Sequence, residues 1–77
     1  MEQKLNREKV EVFKTSVRED AQAAMLIQNL LSAFPKCKIS FDLEDCDKVL
    51  RVEGEVFSAS EIIKCLNIHG FDCQILI

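Results

Sequence analysis

The chain has 77 residues, 48% hydrophobic and 30% charged, with a formal net charge of −3. That length allows one domain with one core, and a domain this small buries only about 60% of the surface its unfolded chain exposes. The composition excludes a disordered chain. No run of about 18 apolar residues could cross a bilayer, and no basic stripe or arginine cluster could hold nucleic acid. The five Phe therefore read as core rather than as base-stacking platforms.

Residues 1–8 are a polar, charged lead-in. They lack the apolar stretch of a secretory signal, so a cytoplasmic location is expected. From residue 9 to residue 77 the pattern predicts six elements. Val10, Glu11 and Val12 alternate as a first strand, with Val10 and Val12 inward and Glu11 and Phe13 outward. Ser16-Val17-Arg18-Glu19 fits a capping box, and a helix follows to about Phe34, where Pro35 stops it. Ala24, Ile27, Leu31 and Phe34 recur at helical spacing and mark its buried stripe, widened by Ala23, Met25, Leu26 and Leu30.

Cys37 to Leu43 has period two, with Ile39, Phe41 and Leu43 on one side and Lys38, Ser40 and Asp42 on the other. Glu44 to Lys48 is a polar hairpin connection leading to a third strand, Val49 to Glu55, with Leu50 and Val52 inward. Ser58-Ala59-Ser60-Glu61 opens a second, shorter helix with Ile62, Ile63, Cys65 and Leu66 on its buried side. His69-Gly70 closes it, the glycine being free to turn left-handed. Asp72 to Ile77 forms a last strand with Cys73, Ile75 and Ile77 inward.

The order β-α-β-β-α-β, folded with right-handed crossovers, predicts an α+β, ferredoxin-like domain. Its four-stranded antiparallel sheet carries both helices on one face.

The four cysteines, Cys37, Cys46, Cys65 and Cys73, form no CxxC. They read as reduced thiols, several of them small buried hydrophobes, and no disulfide is expected. With one His and no Tyr, no nucleophile has both a base and an orienting third group, so the chain is expected not to be an enzyme.

Several segments together carry a resemblance. They are Asp42-Leu43 after an alternating strand, Val52-Glu53-Gly54-Glu55-Val56, Glu61-Ile62 with Leu66, and Gly70-Phe71. Ile27, Leu31, Phe34 and Pro35 add to it from the first helix. Over about residues 10–77 the chain resembles the heavy-metal-associated, copper-chaperone-type family. That family binds a soft metal ion through a CxxC pair at the start of its first helix, usually after Met-Thr. Here the two places fall on Asp20 and Ala23, the Met-Thr is missing, and Val17 takes the methionine's packing role. The resemblance thus implies the frame without the thiolate site, with no cofactor and no family metal site.

Two other ligand classes fit the sequence less well. The loops at one end of the sheet collect Glu19, Asp20, Glu44, Asp45, Cys46, Asp47, His69 and Asp72. An altered metal site on Cys46 and His69 is conceivable there. Two strands separate the two residues, however, by roughly 10 Å, and ligands must converge to about 2.0–2.3 Å from one ion. The favoured reading of His69 is a contact with the last helical carbonyls. A small-molecule-sensing domain of the ACT type shares the element order, but its sites lie near a glycine-containing first turn. Thr15 to Arg18 has no glycine.

The leading expectation is a protein-interaction module. Its partner is another protein or a second copy, and its surface is the open sheet face, where Phe13, Val49 and Leu76 would form an apolar patch among charges.

Overall fold

The computed structural model describes residues 8–76. Most of the polar lead-in (residues 1–8) and the final inward position expected at Ile77 lie outside the described residues. The elements run β1 (Lys9–Thr15), α1 (Asp20–Ala33), β2 (Lys38–Asp42), β3 (Val49–Gly54), α2 (Ala59–Ile68) and β4 (Cys73–Ile75). The strands form one antiparallel sheet in the order β2-β3-β1-β4, an α+β fold.

Register fixes which side chains share a face. Phe13 lies opposite Leu50 on β3 and opposite Ile75 on β4, while Leu50 lies opposite Phe41 on β2. Glu11, Val52 and Ile39 form the next row. The fully buried Phe13, Leu50 and Val52 of this side join Leu26 and Leu30 of α1 and Ile62 and Leu66 of α2 in a single core cluster.

This corrects the expected phase of β1. Phe13 is completely buried, whereas Val10 is 46% exposed. Val10 and Val12 therefore face away from the core, and Glu11 turns toward it, half-buried. The reason is competition within one strand: Val10, Val12 and Phe13 are all apolar, and only one parity can be buried. Phe13 removes more apolar area from water, and the same parity buries Thr15, which is held by hydrogen bonds described below. Phe13 is thus absent from the expected surface patch.

Helix α1 consists largely of Ala, Leu, Gln and Met, without Gly or Pro, which favours helix throughout. Its buried line is Ala23, Leu26 and Leu30. The expected line is corrected by about one position: Ala24 is exposed, while Ile27, Leu31 and Phe34 are half-buried flanks. The capping box expected at Ser16 does not form. The N-cap is Glu19, which makes no side-chain cap bond, and Ser16 Oγ accepts instead from the Asp72 N–H at 2.9 Å.

Helix α2 follows expectation in its place and in its Ser58 cap, while Ile63 and Cys65, expected on its buried side, are half-buried. Ser58 Oγ caps it by accepting from the Glu61 N–H at 3.4 Å, and Ile62 and Leu66 are buried. Its end is a Schellman turn: Phe71 N–H bonds Leu66 O at 2.9 Å and Gly70 N–H bonds Asn67 O at 3.0 Å. Gly70 sits at φ +90, the left-handed region that glycine enters without a Cβ penalty.

Candidate functional site

Three regions compete as the functional site. The first is the start of α1, where the resembled family carries its thiolates. Asp20 is exposed and Ala23 is buried. Both border a depression of about 420 Å³ together with Ile27, Phe41, Asp42 and Glu44. An apolar floor with a carboxylate rim and no thiol does not reproduce a soft-metal site.

The second is the β2–β3 turn. Asp45, Cys46 and Asp47 bring one ligand atom each to within 4.8 Å of one another. Local structure accounts for much of this. Asp45 Oδ1 accepts from the Asp47 N–H at 2.8 Å, and Asp47 Oδ1 lies 3.9 Å from Lys14 Nζ. His69 is not a member of this group. Its Nδ1 lies 2.8 Å from the Cys65 carbonyl oxygen in the preceding turn of α2, as the helix-end reading expected. Among the described residues Cys46 and His69 do not share a group of three metal-ligating side chains.

The third is a polar cleft of about 620 Å³ at the same end of the sheet. Two clamps build it. The buried Thr15 donates from Oγ1 to Lys48 O at 2.6 Å and accepts from the Val17 N–H at 3.2 Å, while its own N–H bonds Asp47 O at 3.0 Å. Ser16 N–H bonds Asp72 O at 3.2 Å, reciprocating the bond from Asp72 N–H to Ser16 Oγ. The β1–α1 turn is thereby tied to both the β2–β3 turn and the α2–β4 turn.

Three cations line the cleft: Lys14, Arg18 and Lys48. Asn67 and Gln74 add amide side chains, and Asp72 is its one carboxylate. The sequence reading missed this basic grouping and saw only the acidic residues of the same loops. The available signal was that all three cations fall at element ends that meet at one edge of the sheet.

The thiols divide by environment. Cys46 is exposed, Cys65 is half-buried, and Cys37 and Cys73 are buried; all four are free. Burial pushes the Cys37 thiol up, partly offset by Lys9, and pushes Cys65 up as well. Cys73 is raised from 9.0 to about 12, mainly by burial and secondarily by the nearby Cys65. Such thiols are poor nucleophiles near neutrality.

The outer sheet face carries Val10, Val12 and Lys14 on β1, Lys38, Ser40 and Asp42 on β2, and Val49, Arg51 and Glu53 on β3. Gln74 and Leu76 join it from the β4 side. Leu76 N–H bonds Val12 O at 2.9 Å, which sets Leu76 beside Val12. Of the expected patch, Val49 and Leu76 are on this face, half-buried and 37% exposed respectively. Val12 and Val10 stand where Phe13 was expected.

No helix of the described residues is long and apolar enough to cross a membrane. The chain matches no family model, no curated protein and no solved structure.

Proposed function

We propose that the chain is a non-enzymatic interaction module that associates with a second copy of itself through the open sheet face. The carrying observation is the contiguous apolar surface of Val10, Val12 and Leu76 on the side away from the helices. Apolar side chains grouped on one face gain free energy when a partner removes them from water. The β2–β3 half of the same face is charged with both signs: Lys38 and Arg51 stand against Asp42 and Glu53, and Arg51 lies 3.6 Å from Glu53. A mixed-sign face suits a second copy better than a strongly acidic or basic partner.

The frame assigned to this module is a ferredoxin-like, heavy-metal-associated fold that has lost its thiolate pair. The β-α-β-β-α-β order and the strand order β2-β3-β1-β4 support the fold reading. Asp20 and Ala23, at the places of the family's cysteines, support the loss of the site. Four unbridged thiols support a reducing, cytoplasmic setting.

Sedimentation velocity over a concentration series tests the module. Association that grows with concentration and is abolished by both Val12→Glu and Leu76→Glu supports it. A monomer at every concentration removes it.

A second reading, an altered metal-binding domain, draws on the approach of the Asp45, Cys46 and Asp47 ligand atoms to within 4.8 Å. Thiolate with carboxylates suits a zinc-like ion better than monovalent copper. Titration of the reduced protein with Zn(II) and Cu(I) decides it. Zinc affinity that falls in Cys46→Ser and not in His69→Ala supports this site; affinity equal in all three proteins eliminates it.

A further inference from the structure

We propose that the cleft between the β1–α1, β2–β3 and α2–β4 turns is a binding site for a small multiply charged oxyanion of the phosphate or phosphate-monoester class. Lys14, Arg18 and Lys48 reach it from three separate segments: the end of β1, the turn into α1 and the turn into β3. The chain as a whole is acidic, at −3, so three cations around one cleft are not a consequence of overall composition. Among the residues lining the cleft Asp72 is the one carboxylate, and Asp47 approaches Lys14 from beside it, at 3.9 Å. A cleft lined mainly by one sign of charge raises the local concentration of the opposite ion.

The cations are only weakly satisfied within the protein. Arg18 makes no ion pair among the described residues. Lys14 reaches Asp47 at 3.9 Å, too far for a hydrogen bond. Lys48 Nζ donates one bond, to Leu43 O at 2.8 Å, which leaves further ammonium hydrogens free. Lys14 and Arg18 are therefore the primary ligands, and Lys48 adds to the field.

The site is also preorganised. Lys48 adopts φ 48, a left-handed backbone that a side chain rarely enters, and the Thr15 hydroxyl bond to its carbonyl holds it there. The reciprocal Ser16–Asp72 bonds fix the opposite wall. The cleft has a volume of about 620 Å³ and is half open to solvent. An oxyanion with several oxygens can accept from a guanidinium and an ammonium at once, and Asn67 and Gln74 also line the cleft.

The test is a titration of the 15N-labelled protein with inorganic phosphate, with chloride adjusted to hold ionic strength constant. The expected result is saturable amide shifts confined to residues 14–18 and to the neighbourhoods of Lys48, Asn67 and Gln74. Arg18→Gln and Lys14→Gln weaken binding by about tenfold each. Lys64→Gln, on the exposed side of α2, leaves it unchanged. Both cleft variants change exposed side chains, and their spectra report whether the fold is retained. Linear shifts spread over the surface, or equal weakening in all three variants, would overturn the proposal.

Discussion

The Thr15 hydroxyl donates a 2.6 Å hydrogen bond to the carbonyl oxygen of Lys48, across 33 residues of sequence, and accepts from the Val17 N–H at 3.2 Å. Among the described residues Thr15 is the one buried polar residue, at 6% exposure. A single side chain thus fixes both the entry to α1 and the left-handed residue that ends the β2–β3 turn. Thr15→Val keeps the shape and removes both bonds, leaving the Val17 N–H and the Lys48 carbonyl without this partner. The expected loss is about 1–3 kcal/mol in urea unfolding, a large share of the margin of so small a domain. An unchanged midpoint would show that water replaces the hydroxyl at no cost.

Phe13 and Val12 are adjacent in sequence and opposite in environment, and truncation separates them. Phe13→Ala empties a fully buried site and costs about 3–5 kcal/mol, enough to unfold much of the population. Val12→Ala, on the half-buried outer side, costs far less. Circular dichroism melts of the two variants should therefore differ sharply; a lower midpoint for Val12→Ala than for Phe13→Ala would mean that the outward parity is the buried one.

Gly54 and Cys37 pack as a pair. A Cβ placed on Gly54 would stand 2.6 Å from Cys37 Sγ and 3.4 Å from its Cα and Cβ. Gly54→Ala therefore forces Cys37 to move and destabilises by about 1–3 kcal/mol. In a Cys37→Ala background the closest obstacle is gone, and the same change costs less. A double-mutant cycle on denaturant midpoints reads the coupling directly, and strict additivity would deny the contact.

The buried thiols give a pH dependence with a defined sign. Cys73 is raised in the folded state from 9.0 to about 12, so its stabilisation is complete below pH 9 and is lost as pH rises toward 12. In that window the unfolded chain releases the thiol proton and the folded chain keeps it. The limiting slope is about 1.4 kcal/mol per pH unit for one thiol. Urea midpoints should fall above pH 9, and the fall should be shallower in Cys73→Ala. At lower pH, iodoacetamide should modify the exposed Cys46 first, followed by mass spectrometry, with Cys37 and Cys73 last.

Element order was legible because several boundaries have a local chemical cause. Pro35 ends α1, Ser58 caps α2, Gly70 turns left-handed, and alternation at Ile39 and Phe41 marks β2. Phase was less legible. In β1, apolar residues occupy both parities, and the choice between Val12 and Phe13 was made by tertiary packing on Leu50. In α1 the apolar surface is wide enough that Leu26 and Leu30, rather than Ile27 and Leu31, could face the core.

Ser16 shows a different limit. Its sequence context fits a helix cap, yet its hydroxyl is taken by Asp72, a residue 56 positions away. The basic cleft was harder to read for the same reason: Lys14 and Arg18 at the β1–α1 turn join Lys48 only once the β2–β3 turn is folded against them.

Self-association is proposed through Val10, Val12 and Leu76. Isotope-filtered NOE spectroscopy on an equal mixture of 13C-labelled and unlabelled protein reads that contact. Intermolecular NOEs are expected from the Val12 and Leu76 methyl groups and not from Val52 and Leu50 in the core. A sample at millimolar concentration that shows no intermolecular NOEs from the outer face, or shows them only from the helices, would contradict it.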